Sequence, residues 1–164
     1  KAAAERMNPR FDSIPFESQF QYMATLHQTR NAKVIYVKGS AEAILKRSSA
    51  ALNNDGELTT LDVEAINQRV DEMAKQGLRV LAFAKKKVGE SQDKVDHSDI
   101  ESGLEFIGLQ AMIDPPRPEA IAAVYACQQA GIQVKMITGD HITTAQAIAR
   151  RMGFRNQNKK VVAY

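Results

Sequence analysis

Apolar positions first recur with a period of two. Phe20 to Gln28 and Ala32 to Lys38 read as strands, rich in β-branched and aromatic residues and joined by a polar turn at Thr29-Arg30-Asn31. Gly39 breaks the second run, and Ser40 fits as the N-cap of a short helix, AEAILKRS. Ser48 to Thr60 is polar and holds Asn53-Asn54-Asp55-Gly56, a loop by composition. Then the period lengthens. Val63, Ile66, Val70 and Met73 recur at helical spacing, with Asp62 and Glu64 at the positive end of the helix dipole. Gly77 stands where a left-handed C-cap is wanted, which predicts a helix from Asp62 to Gln76. Arg79 to Val88 reads as a strand and Gly89 to Ser102 as a polar loop. Leu104 to Ile113, nearly all apolar, reads as a buried strand.

The segment DPPRPEA interrupts this pattern. Pro115 and Pro116 fix φ and drive the residues before them out of the α region, so nothing regular continues through them. A domain boundary is expected there, dividing residues 1–113 from 114–164. Beyond it, Pro118 to Ala130 reads as a helix with Ile121, Val124 and Tyr125 on one face, closed by Gly131. Ile132 to Ile137 reads as an apolar strand. Thr143 to Met152 reads as a helix, with Ala145, Ile148, Ala149 and Met152 on one side and Gly153 at its end. The first part is therefore expected to be α+β, with an antiparallel sheet flanked by helices. The second, helix–strand–helix, is expected to be a fragment of a parallel α/β layer.

Composition narrows the function. Hydrophobic residues make up 44% of the 164 residues, enough for a real core. The net charge of +3 is small, and the only tight basic cluster is Lys85-Lys86-Lys87, so nucleic acid is not an expected partner. Cys127 is the single cysteine, so no disulfide can form within the chain, and a reducing compartment fits. No apolar run reaches the roughly 18 residues of a membrane span. No signal peptide is expected from the opening residues.

The chemistry concentrates at Thr138-Gly139-Asp140, where an apolar run ends and a helix begins. Ligands gather at the carboxyl ends of strands in open α/β sheets, and a helix N-terminus suits phosphate. A carboxylate beside phosphate implies an intervening cation, Mg²⁺ or a lysine. The alternative is a turn in which Asp140 or Thr143 caps the helix. Other positions are equally two-sided. Lys38-Gly39 ends a strand but belongs to no P-loop. Phe16 follows Pro15 in a loop, where it either stacks on a flat ring or fills the core. Met23 reads as a core residue of its strand and Arg79 as a surface residue. Asp114 and Arg117 flank the double proline as a local brace.

In order and spacing, IPFESQFQYMATLH, VKGSAE, GLRVLAFA, GLQAMIDPPRPEA and MITGDHITTAQAIA resemble the cytoplasmic part of a P-type ion-transporting ATPase. The likeness is greatest to the type II cation pumps, the calcium and sodium/potassium group, in a prokaryotic style, and it covers nearly the whole chain. It implies a nucleotide-binding domain followed by an incomplete haloacid-dehalogenase-like phosphorylation segment. Phe16 would stack on adenine, Met23 would line the same slot, and Ser18 would lie at its edge. Lys38 and Gly39 would flank the base and phosphates, and Arg79 would contact the phosphate chain. Asp114, Pro115, Pro116 and Arg117 would form the interdomain hinge. Thr138, Gly139 and Asp140 would face the γ-phosphate. ATP and Mg²⁺ are the implied cofactors. The implied partners are the phosphorylation, actuator and transmembrane parts of the same pump, at the cytoplasmic face of the cell membrane.

The sequence departs from that pattern in two ways. Gln21 stands where many members carry a lysine, which removes one positive charge from the pocket. The signatures DKTGT and GDGxND do not occur in these 164 residues. The chain is thus expected to bind ATP without turning it over. Two other functions compete. A haloacid-dehalogenase-class phosphatase needs a D-x-D-x-[TV] nucleophile, and none is present. A non-catalytic nucleotide-binding or interaction module needs only the slot.

Overall fold

Tyr22–Gln28 (β2) and Lys33–Gly39 (β3) pair antiparallel in unbroken register, from Tyr22 opposite Gly39 to Gln28 opposite Lys33. The Thr29 hydroxyl closes the turn between them by donating to the Ala32 carbonyl at 2.6 Å. These strands belong to a computed structural model that describes residues 7–113, 115–139 and 142–154. Asp114, Asp140 and His141 lie outside the described residues.

Seven strands form one sheet in the order β1-β2-β3-β6-β7-β4-β5. The edge strand β1, Arg10–Glu17, contains Phe16, for which the sequence predicts a loop. Pro15 within it is tolerated because an edge strand needs only half of its backbone groups for pairing. The long strands β6 (Arg79–Val88) and β7 (Leu104–Met112) stand where the pattern predicts them. The stretch expected to be a polar loop instead contributes β4 (Ser48–Leu52) and β5 (Leu58–Thr59). SSAAL has little strand propensity. Its conformation comes from pairing with β7, a long-range contact that local composition cannot reveal. That pairing is parallel, so the sheet is mixed rather than antiparallel throughout.

Among the described residues four α-helices of more than one turn accompany the sheet: α1 (Ala41–Leu45), α2 (Val63–Lys75), α3 (Pro118–Gln129) and α4 (Ile142–Arg151). Ser40 caps α1 by accepting from the Ala43 amide at 3.1 Å, and Asp62 does the same for α2 through Ala65 at 2.9 Å. Gly77 takes a φ of 75° at the end of α2, as its sequence position predicts. Asp96 and Asp99 form a capping box around a 3-10 turn at His97–Ile100. Among the described residues no helix is long and apolar enough to cross a membrane.

Two compact units result. One comprises the chain up to Asn67 with Leu81–Gln110; the other comprises Gln68–Val80 and the chain from Ala111. The first has its core on one face of the sheet, where Tyr22, Ala24, Leu26, Ile35, Val37, Ala82 and Ala84 are all buried, beside Ile44, Ile100 and Leu104. Lys33 is buried too, paired with Asp93 at 2.5 Å and lying 4.5 Å from the Phe11 ring centroid. In the second unit, α4 packs its small residues against the segment after α2. Ala147 lies 3.1 Å from where a Cβ on Gly77 would be, and Arg151 donates to the Gln76 carbonyl at 2.6 Å.

The strand predicted at Ile132–Ile137 is absent. These residues pair with no strand among the described residues, and Ile137 is 98% exposed. An apolar run becomes a strand only when a neighbour takes up its backbone hydrogen bonds. The parallel α/β layer expected beyond the prolines is therefore represented by two helices.

Candidate functional site

Strand register decides which of the expected residues come together. Met23 is directly opposite Lys38, and Lys38 is directly opposite Phe83. On β1, Ile14 pairs with Ala24 and Glu17 with Tyr22. Two residues, Pro15 and Phe16, therefore oppose the single residue Met23, which is a β-bulge. The bulge restores the alternation that places Phe16 on the Met23 face, with Glu17 on the Tyr22 face. Phe16, Met23, Lys38 and Phe83 thus form one row across β1, β2, β3 and β6. It runs on the face opposite the buried Tyr22, Ala24 and Val37.

The row is open to solvent at its β1 end. Phe16 is 61% exposed, Lys38 is exposed, and Met23 and Phe83 are half-buried. Neighbouring strands lie about 4.8 Å apart, so Phe16 and Lys38 are separated by about 10 Å with Met23 between them. A flat aromatic ring, a polarisable thioether and a cation on one short row suit a planar heterocycle with an anionic tail.

The turn at Ser18–Gln21 borders the row, with Ser18 exposed. Gln21 has a φ of 59°, alone among the described non-glycine residues in being positive. Its carbonyl accepts from the Ser40 amide at 3.0 Å, and its side-chain Oε1 accepts from the Ser40 hydroxyl at 3.2 Å. Gln21 therefore ties the β1–β2 turn to the end of β3. Gly39 occupies the contact between them. A Cβ there would meet the Gln21 carbonyl oxygen and come within 2.8 Å of Tyr22 Cβ.

The other expected residues stand apart from this row. Arg79 is exposed at the start of β6 and belongs to the second unit, as do Pro115, Pro116 and Arg117. Arg117 precedes α3 in an extended conformation, and Pro118 opens the helix. Thr138 and Gly139 are exposed, in the irregular stretch before α4. Phe83 was not foreseen as a member of the row. The alternation in VLAFA signals its strand, but only the pairing of β3 with β6 brings it beside Lys38.

A family model described as P-type ATPase, cytoplasmic domain N, matches residues 1–119. The chain belongs to this P-type ATPase family. It is similar to the cation-transporting ATPase pma1 of Synechocystis, 61% identical over 153 residues, which cover 93% of this chain and 17% of that protein. It is similar to the probable cation-transporting ATPase F of Mycobacterium tuberculosis, 43% identical over 145 residues, 88% of this chain and 16% of that protein. It also resembles calcium-transporting ATPase 1 of Bacillus cereus, 38% identical over 151 residues, 91% of this chain and 17% of that protein. The chain spans about a sixth of these relatives. Within the P-type ATPase domain, the row from Phe16 to Phe83 lies inside the matched residues and Thr138-Gly139 lies beyond them.

Proposed function

We propose that this chain is the ATP-binding part of a P-type cation pump and holds the nucleotide for phosphoryl transfer to an aspartate outside these 164 residues. The carrying observation is the β1 bulge, which brings Phe16 to the face of Met23 and Lys38. Phe16 stacks on the adenine, Met23 forms the floor beside it, and the Lys38 ammonium attracts the phosphate tail. Gly39 permits close packing against the turn, while Gln21 and Ser18 form the rim. Arg79 approaches the phosphates, and Thr138, Gly139 and Asp140 meet the γ-phosphate when the pump closes. Asp114, Pro115, Pro116 and Arg117 act as the hinge between a nucleotide-binding part at 1–113 and a slice of a haloacid-dehalogenase-like phosphorylation domain at 114–164. In the pump the chain works at the cytoplasmic side of the membrane, with the actuator and transmembrane parts completing the cycle.

Mg²⁺ neutralises phosphate charge in such a transfer. Among the described residues no three histidine, cysteine or carboxylate side chains converge to hold a metal. The contribution proposed for the described row is to hold the nucleotide.

Isothermal titration of ATP into the chain and into Phe16→Ala tests the reading. Base–aromatic stacking contributes about 1–3 kcal/mol, so the variant should lose roughly ten- to a hundred-fold in affinity. Because Phe16 is largely exposed, its melting temperature should hardly change. Equal affinity in the two proteins would refute the stacking role. ATP should also stay intact with the purified chain, and steady phosphate release would instead favour a phosphatase.

A further inference from the structure

The turn that borders Phe16 is held from the core side by a histidine that the nucleotide reading does not use. The imidazole of His97 packs on the Phe20 ring with centroids 4.2 Å apart. Its Nδ1 lies 2.7 Å from the Tyr22 hydroxyl. Phe20 and Tyr22 flank Gln21, whose left-handed φ of 59° is a conformation that neighbours must hold in place. Tyr22 is 2% exposed, so its hydroxyl depends on protein partners. Arg47 lies over the Tyr22 ring at 4.8 Å, and in the tautomer protonated at Nε2 the His97 Nδ1 accepts the Tyr22 hydroxyl proton.

We propose that His97 is a positioning residue for the nucleotide face. Through Phe20 and Tyr22 it fixes the β1–β2 turn, and its protonation loosens Phe16 and weakens nucleotide binding. The inference rests on the nucleotide reading above.

The chemistry has a definite sign. Only a neutral imidazole offers a lone pair at Nδ1, and protonation converts that nitrogen into a donor. Histidine is the side chain whose charge ordinarily changes between about pH 5 and 8. A protonated ring leaves the buried Tyr22 hydroxyl proton without His97 Nδ1 as acceptor and adds positive charge near the Tyr22 ring, which Arg47 also contacts. Glu17, at the end of β1, and Glu101, after the 3-10 turn, act on Tyr22 through charge and not through hydrogen bonds. Asp96 and Asp99 are committed to the capping box, and Lys86 of β6 donates to the Asp99 and Ser102 carbonyls.

The test uses the 164-residue chain with ATP, between about pH 7.5 and 5.5. The terminal phosphate of ATP itself titrates in this range, so the comparison is with His97→Phe, which keeps a flat ring against Phe20. Wild-type affinity should fall several-fold further on acidification than that of His97→Phe. Tyr22→Phe, which removes only the hydroxyl, should flatten the profile in the same way. In nucleotide-free NMR spectra the Phe16 and Gln21 amides should follow the His97 titration. Identical pH profiles, or Phe16 and Gln21 amides that ignore His97, would overturn the proposal. Failure to bind ATP at any pH would sink the nucleotide reading instead, and the amide titration would still decide whether His97 positions the turn.

Discussion

Gly39 is the residue with least room. A methyl group there meets backbone oxygen and the Tyr22 Cβ, and neither can move without shifting a strand. Gly39→Ala should destabilise the chain by about 1–3 kcal/mol, seen as a lower urea midpoint with an unchanged slope. Gly139→Ala has nothing within 4 Å of its new atom and should change stability by no more than about 0.5 kcal/mol. Equal effects of the two would contradict the packing described. Asp12 supplies a pH-dependent contact. Hydrogen bonds from the Val95 and Ser13 backbone amides hold its carboxyl below the ordinary carboxylate range. The unfolded chain then binds the proton more readily than the folded one, so this contribution is present above that range. It is lost as pH falls through the depressed value. Urea midpoints of wild type and Asp12→Asn should differ at neutral pH and converge in acid; a constant gap would exclude this linkage.

The elements differ in how far local pattern determines them. The β2–β3 hairpin, α1 with its Ser40 cap, and α2 with Gly77 are legible because each carries its period and its stop signal in adjacent residues. β4 is not, since Ser48–Leu52 becomes a strand only by lying parallel to β7. Ile132–Ile137 is the converse, a strand by pattern that has no pairing partner among the described residues. Its amides should exchange with solvent far faster than those of Ala24, Ile35 and Val37 in the sheet. Comparable protection would mean that the segment pairs after all. The candidate row was partly legible too. Phe16, Met23 and Lys38 stand out by resemblance to the pump family. Phe16's place on β1, the left-handed Gln21 and the contribution of Phe83 depend on pairings distant in sequence.

At the scale of the molecule, a chain about one sixth the length of its relatives contains two compact units and one sheet face on which Phe16, Met23, Lys38 and Phe83 are aligned. Thr138 and Gly139, proposed above to meet the γ-phosphate, belong to the other unit, and the proposal thereby divides holding the nucleotide from reacting with it. That division matters only if the Phe16 row is where adenine sits. An NMR titration of the labelled chain with ATP tests this most directly. Saturable shifts gathered at Phe16–Met23 and Val37–Gly39 are the expected result. Saturable shifts that leave those residues unmoved and collect elsewhere would contradict the account.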